Sequence, residues 1–109
     1  MGFDLSKAEG FEWNRGNLSH IKKHNVDYKE CEQVFFSLPI IILSDEKHSK
    51  IEERFKIIGI TAGERRLSLA ITVRKNKIRV ITARNQSKKE KKAFEHERMK
   101  LGGEESEKT

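Results

Sequence analysis

Arg54, Arg79 and Arg84 are the residues of this 109-residue chain best suited to chemistry. A guanidinium stays charged and presents a rigid fork of N–H donors that matches the oxygens of a phosphodiester. Such a set can bind a phosphodiester and stabilise negative charge developing on phosphorus, and any reaction there would also need a proton acceptor and a proton donor. His48 is the candidate acid or base, since histidine titrates nearest neutrality and this one lies on the stretch leading to Arg54. Glu53 is the alternative base. Lys56, Arg74, Lys75, Lys77 and Lys88 are candidate contacts to the rest of an RNA backbone. A structural reading competes in each case: His48 as a loop residue, Glu53 as partner of a nearby arginine, and the Lys88–Lys92 run, interrupted by Glu90, as a solvated helix face.

Two other groups are weaker candidates. His20 and His24 are four apart on one predicted helix, a spacing that can grip a metal, but Arg15, Lys22 and Lys23 surround them and no third ligand is close in sequence. They are read as solvent or partner contacts, with His24 also placed to close the helix C-terminus. No metal or other cofactor is expected. Cys31, the one cysteine, rules out an intrachain disulfide and a thiolate zinc cluster, and is read as a small core residue. That usage suits a reducing cytoplasm. No apolar run approaches the ~20 residues that span a bilayer, and no signal-peptide core is evident.

The charge balance points the same way as the arginines. The formal net charge is +6, and over residues 1–101 it is +8, from 22 Lys and Arg against 14 Asp and Glu. Such a surplus on a small surface favours a polyanionic partner, through phosphate neutralisation and counterion release. Charge by itself does not separate RNA from DNA, membrane or an acidic protein.

The elements that would position these residues follow from pattern. Trp13, Leu18 and Ile21 form a narrow apolar stripe over a helix from Asn14 to His24, ended by Asn25 in the left-handed region. Asp27 and Glu30 have capping-box spacing, and open a second helix whose face is Tyr28, Cys31, Val34, Phe35 and Leu38, with Pro39 as its stop. Ile40–Leu43 is a β-branched run read as a strand buried on both faces or covered at its start. Residues 52–60, 66–73 and 78–84 read as three further strands, joined by hairpin turns at Ala62-Gly63-Glu64 and Lys75-Asn76-Lys77. Ser87 and Glu90 repeat the capping-box spacing and open a third helix expected to end at Gly102-Gly103. The resulting class is α+β: two N-terminal helices, a four-stranded antiparallel sheet and a C-terminal helix. Residues 1–10 are expected to be a loose leader, 11–101 one domain, and 102–109 a mobile acidic tail.

Strand alternation then sorts the cations. Phe55, Ile57, Leu67, Leu69, Ile71, Val73, Ile78 and Val80 share the face packed on helices, and Arg54, Lys56, Ser68, Thr72, Arg74 and Arg79 share the other. That second face is expected to be open, cationic and lined with hydroxyls, as a single RNA strand would need. Arg84 has the opposite parity from Arg79, so it joins the set only from the strand's end or across a bulge.

Phe11-Glu12-Trp13-Asn14, Asn17-Leu18 with Lys23-His24-Asn25-Val26, His48-Ser49 with Glu52-Glu53-Arg54-Phe55 and Ile58-Gly59, and Ile78–Arg84 occur in an order and spacing that resembles the BrnT family of type II toxin–antitoxin ribonucleases. The resemblance covers residues 11–95. It implies a RelE-like fold and a metal-independent endoribonuclease that blocks translation. It also implies a BrnA-like antitoxin as partner, which masks the toxin and supplies the contacts when the complex binds promoter DNA. The chain departs from the family pattern at Phe94, where many relatives have tyrosine, at Gln86 in place of alanine and at Asn25 in place of glycine. The competing expectation is a noncatalytic nucleic-acid-binding module, or a degenerate toxin that only binds its antitoxin. A DNA-reading transcription factor fits less well, for want of a helix-turn-helix pair.

Overall fold

Two asparagines start the fold. In the computed structural model, which describes residues 7–46 and 52–108 and side chains as far as Leu101, Asn14 caps α1 (Arg15–Lys22). Asn14 Oδ1 accepts from the Asn17 N–H at 3.0 Å, and Asn17 Oδ1 accepts from the Asn14 N–H at 2.8 Å. Asn25, with φ 57°, turns the chain out of α1 as its residue type predicts. Glu30 accepts from the Asp27 N–H and opens α2 (Tyr28–Val34). This helix is shorter than its apolar pattern suggests. It stops at Val34, a full turn before Pro39, so Leu38 leaves the buried stripe and is 78% exposed, next to an 82% exposed Phe36.

Four strands follow: β1 (Ile41–Ser44), β2 (Arg54–Ile60), β3 (Arg66–Arg74) and β4 (Lys77–Asn85). They pair antiparallel in chain order, as the turn signals predict. Lys75 and Asn76 both take positive φ (50° and 65°), the requirement of the two-residue hairpin that matches strand twist. The β-branched run does not become a doubly covered strand. β1 is the sheet's outer strand beside β2, and Ile42 and Leu43 are exposed.

Helices cover both faces. Ile21, Val26, Cys31 and Val34 of the α1–α2 layer pack on Phe55, Ile57, Leu67, Leu69, Ile71, Ile78 and Val80. α3 (Lys88–Lys108) crosses part of the opposite face, where Phe94 is fully buried on Ile58 and Ile60. The second face is therefore open only in part, contrary to the expectation from alternation. Thr72 and Ser68 are buried in it, the Thr72 hydroxyl donating to the Glu53 carbonyl at 2.7 Å.

The third helix outruns its expected end. α3 continues through Gly102 and Gly103 to Lys108. An interior glycine costs a helix only about 1 kcal/mol relative to alanine, and no proline intervenes. Glu9 N–H donates to the Asn76 carbonyl, Ile78 N–H to Gly10, and Glu12 N–H to Ile78, so residues 9–12 run along the outer side of β4.

Candidate functional site

β4 carries the residues that matter, and it does not alternate regularly. Its register with β3 shifts between Ala70 and Ile71: Ile71 faces Val80 while Ala70 faces Thr82, which makes Ile81 an extra residue. The bulge returns Arg84 to the face of Arg79. Simple alternation puts the two on opposite faces, and the exception anticipated for a bulge is the arrangement present.

Arg84 is nevertheless committed elsewhere. Its two terminal nitrogens donate to Glu90 Oε1 and Oε2 at 2.8 and 3.0 Å. Lys56 Nζ lies 2.6 Å from Oε2 of the same carboxylate, the Ser68 hydroxyl donates to it at 3.2 Å, and the Ser87 N–H donates at 2.8 Å as part of the helix cap. Burial alone would raise the Glu90 pKa. The bonds from Arg84, Lys56 and Ser87 outweigh it and hold the carboxyl well below the ordinary value of 4.5. Glu90 in turn raises the Arg84 pKa. Arg84, Lys56 and Ser68 thus fasten α3 to the sheet through one buried carboxylate. Only the cap spacing of Glu90 was visible in sequence.

The other cations converge at the opposite end of this face. Arg54 of β2, Arg74 of β3 and Arg79 of β4 line a cleft of about 250 Å³. Gly16, Asn17 and His20 of α1 form its far wall. Glu52, just ahead of β2, is its carboxylate and pairs with Arg74 (Nε to Oε2, 3.2 Å). The Arg79 guanidinium has no carboxylate partner among the described residues. α1 is held against β4 by Asn17, whose Nδ2 donates to the Glu12 carbonyl, which belongs to the segment paired with Ile78.

Of the sequence candidates, Arg54, Arg79 and Arg74 come together here. Glu53 does not line the cleft; its exposed side chain is one position out of phase with Glu52. His48 lies outside the described residues. Lys75 and Lys77 are exposed on the β3–β4 hairpin, Lys77 opposite Arg74, and Lys88 lies on α3 with Lys91 and Lys92, away from the cleft. Sequence reasoning missed Glu52 and His20. Two-residue spacing from Arg54, which puts Glu52 on the same strand face, was signal enough for the first, whereas nothing along the chain places α1 beside β4. A larger recess between α1 and α2, about 630 Å³ and lined by Leu18, Ile21, Val26 and Tyr28, has two cations, Arg15 and Lys22, with Asp27 beside them, where the cleft has three arginines.

Cys31 is fully buried, and burial followed by the neighbouring Glu30 pushes its thiol up to about 12, as for an inert core residue. Phe94 is core, so at this position the ring packs under α3 and does not open into the cleft. Gln86 is buried with Nε2 donating to the Gly59 and Leu67 carbonyls at 2.9 and 3.3 Å, which accounts for an amide where the family pattern has alanine. Among the described residues no three His, Cys, Asp or Glu side chains gather around one point, and no helix is long and apolar enough to cross a membrane.

A family model described as the ribonuclease toxin, BrnT, of type II toxin–antitoxin systems matches residues 13–90. No curated relative matches the chain.

Proposed function

The chain belongs to the BrnT family of ribonuclease toxins of type II toxin–antitoxin systems, and from that premise we propose that it cleaves RNA at the Arg54–Arg79 cleft without a metal ion. The observation that carries this reading is the convergence of Arg54, Arg74 and Arg79, from three strands, on one small cleft. Cations fixed in a partly desolvated recess stabilise the charge that develops on phosphorus when the 2′-hydroxyl attacks. Arg79 suits direct phosphate contact best, since it has no carboxylate partner among the described residues. Arg74 is held by Glu52, and we assign Arg84 and Lys56 to the scaffold because Glu90 already binds them. Lys77 and Lys75 extend the positive surface along the hairpin for the flanking nucleotides.

Membership of the family implies a cognate antitoxin. The partner is proposed to be BrnA-like, to mask the cleft and to make any promoter DNA contacts itself. Unmasked, RNA cleavage would stop translation.

Purified chain incubated with RNA in EDTA tests the reading. Wild type should cleave, and Arg79→Ala should lose about 10²–10³ in rate, the usual consequence of removing one transition-state donor. Its thermal midpoint should fall only slightly, since Arg79 is half-buried and has no carboxylate partner among the described residues, so its removal leaves no buried charge unpaired. Thr82→Ala, exposed on the same face, should cleave normally. Ser68 is unsuitable as that control, because it is buried on Glu90. Activity that disappears in EDTA and returns with Mg²⁺ would overturn the metal-independent mechanism, and an Arg79→Ala chain that cleaves at the wild-type rate would remove Arg79 from the site. A wild-type chain that binds RNA without cleaving it would favour the binding-only alternative.

A further inference from the structure

We propose that His20 is the proton-transfer residue of the cleft, a role that rests on the ribonuclease reading above. Among the described residues, the groups that titrate or carry charge around the cleft are Glu52 ahead of β2, Arg54 on β2, Arg74 on β3, Arg79 on β4, and His20 on α1. Arginine does not give up its proton in this setting, and Glu52 is held in an ion pair with Arg74. His20 is the remaining group among the described residues, and histidine is the side chain suited to proton exchange near neutral pH.

Its placement follows from the local fold. Gly16 and Asn17 lie four and three residues before His20, hence on the same side of the helix one turn earlier. All three line the cleft. At Gly16 a side chain would crowd the helix cap, since a Cβ there would stand 3.2 Å from Asn14 Oδ1. Asn17 fixes the rotation of α1 through its bond to the Glu12 carbonyl, so the same contact that holds α1 to β4 orients His20 toward the arginines. His24, one turn further, lies past the end of α1, and its carbonyl accepts from Arg65 at 3.1 Å.

In the proposed step, neutral His20 takes the proton of the ribose 2′-hydroxyl. The O2′–P bond forms as the P–O5′ bond breaks, and the leaving 5′-oxygen takes a proton from solvent water. The hydroxide so formed is neutralised by the proton that His20 returns. The products are a 2′,3′-cyclic phosphate and a 5′-hydroxyl end, with no net consumption of water and no change of oxidation state.

The experiment measures cleavage of an oligoribonucleotide against pH for wild type, His20→Gln and His20→Ala, together with thermal unfolding and binding of a 2′-fluoro oligonucleotide of the same sequence. Wild-type cleavage should rise with pH across the range in which histidine loses its proton. His20→Gln should fall by about 10²–10³-fold and lose that dependence, while binding of the 2′-fluoro strand stays within about twofold. Added imidazole should restore part of the rate of His20→Ala. The proposal is overturned if His20→Gln keeps the wild-type rate and pH profile, or if cleavage and 2′-fluoro binding fall together, which would make His20 a phosphate contact. It is equally overturned if both variants lose thermal stability, which would make the side chain a support for α1. A wild-type chain that cleaves no RNA at any pH would remove the ribonuclease reading itself, a result distinct from all of these.

Discussion

Glu90 shows how one residue can serve both the fold and the site without touching substrate. It caps α3, closes a carboxylate onto Arg84 and Lys56, and takes the Ser68 hydroxyl. Glu90→Gln should destabilise the protein by about 2–3 kcal/mol, because two cations would lose their partner; each keeps about 40% exposure, which limits the loss. Urea unfolding at neutral pH checks this. The sign with pH follows from the depressed pKa. Folded Glu90 releases its proton well below 4.5, so its contribution is complete above that value and declines as pH falls beneath it, where the unfolded chain takes up the proton first. The gap between wild type and Glu90→Gln should therefore narrow on acidification below about 4.5. A gap that stays constant down to pH 3 would mean that the carboxylate's charge is not what stabilises the helix. Nothing in a run of lysines around one glutamate reveals this role, since the partners lie 34 and 6 residues away on other elements.

The elements themselves were largely legible. Asparagine and capping-box signals give α1, α2 and the start of α3, and the two turns give the meander, because these are local agreements between side chain and backbone. Strand faces were legible up to Ile81. Beyond it the bulge reverses alternation, and no feature of Val80-Ile81-Thr82 distinguishes an extra residue from a paired one. The docking of α3 was hidden for a related reason: its apolar stripe is partial, and Phe94 carries the burial of this helix. Packing between elements makes its own demand at Gly59, where a Cβ would stand 2.6 Å from Val34 Cγ1. Gly59→Ala should destabilise by about 1–3 kcal/mol by forcing α2 off the sheet. Val34→Ala introduced alongside should recover part of that loss, so the double mutant lies above the sum of the singles. Additive effects in thermal unfolding would show that α2 does not feel the added methyl.

Across the whole molecule, the candidate site is an edge property. It forms where α1 comes against β4, and no single segment holds both walls. That is why Arg54 and Arg79 were readable from alternation and charge, whereas His20, equally part of the cleft, looked like a helix-surface residue. The extended segment of residues 9–12, bridged to β4, lies ahead of the segment that the family model matches, 13–90. Recognisable sequence and cooperative unit therefore have different borders. A chain begun at Trp13 would keep every cleft side chain yet leave the Ile78 N–H and carbonyl open on the sheet's edge and deprive Asn17 Nδ2 of the Glu12 carbonyl. Such a chain should melt several degrees lower, lose cleavage more than RNA binding, and self-associate through the uncovered strand, as sedimentation would record. An unchanged monomer with full activity would refute this. Shortening this protein to its recognisable part would thus do more than trim a tail: it would unlatch the helix that faces the arginines.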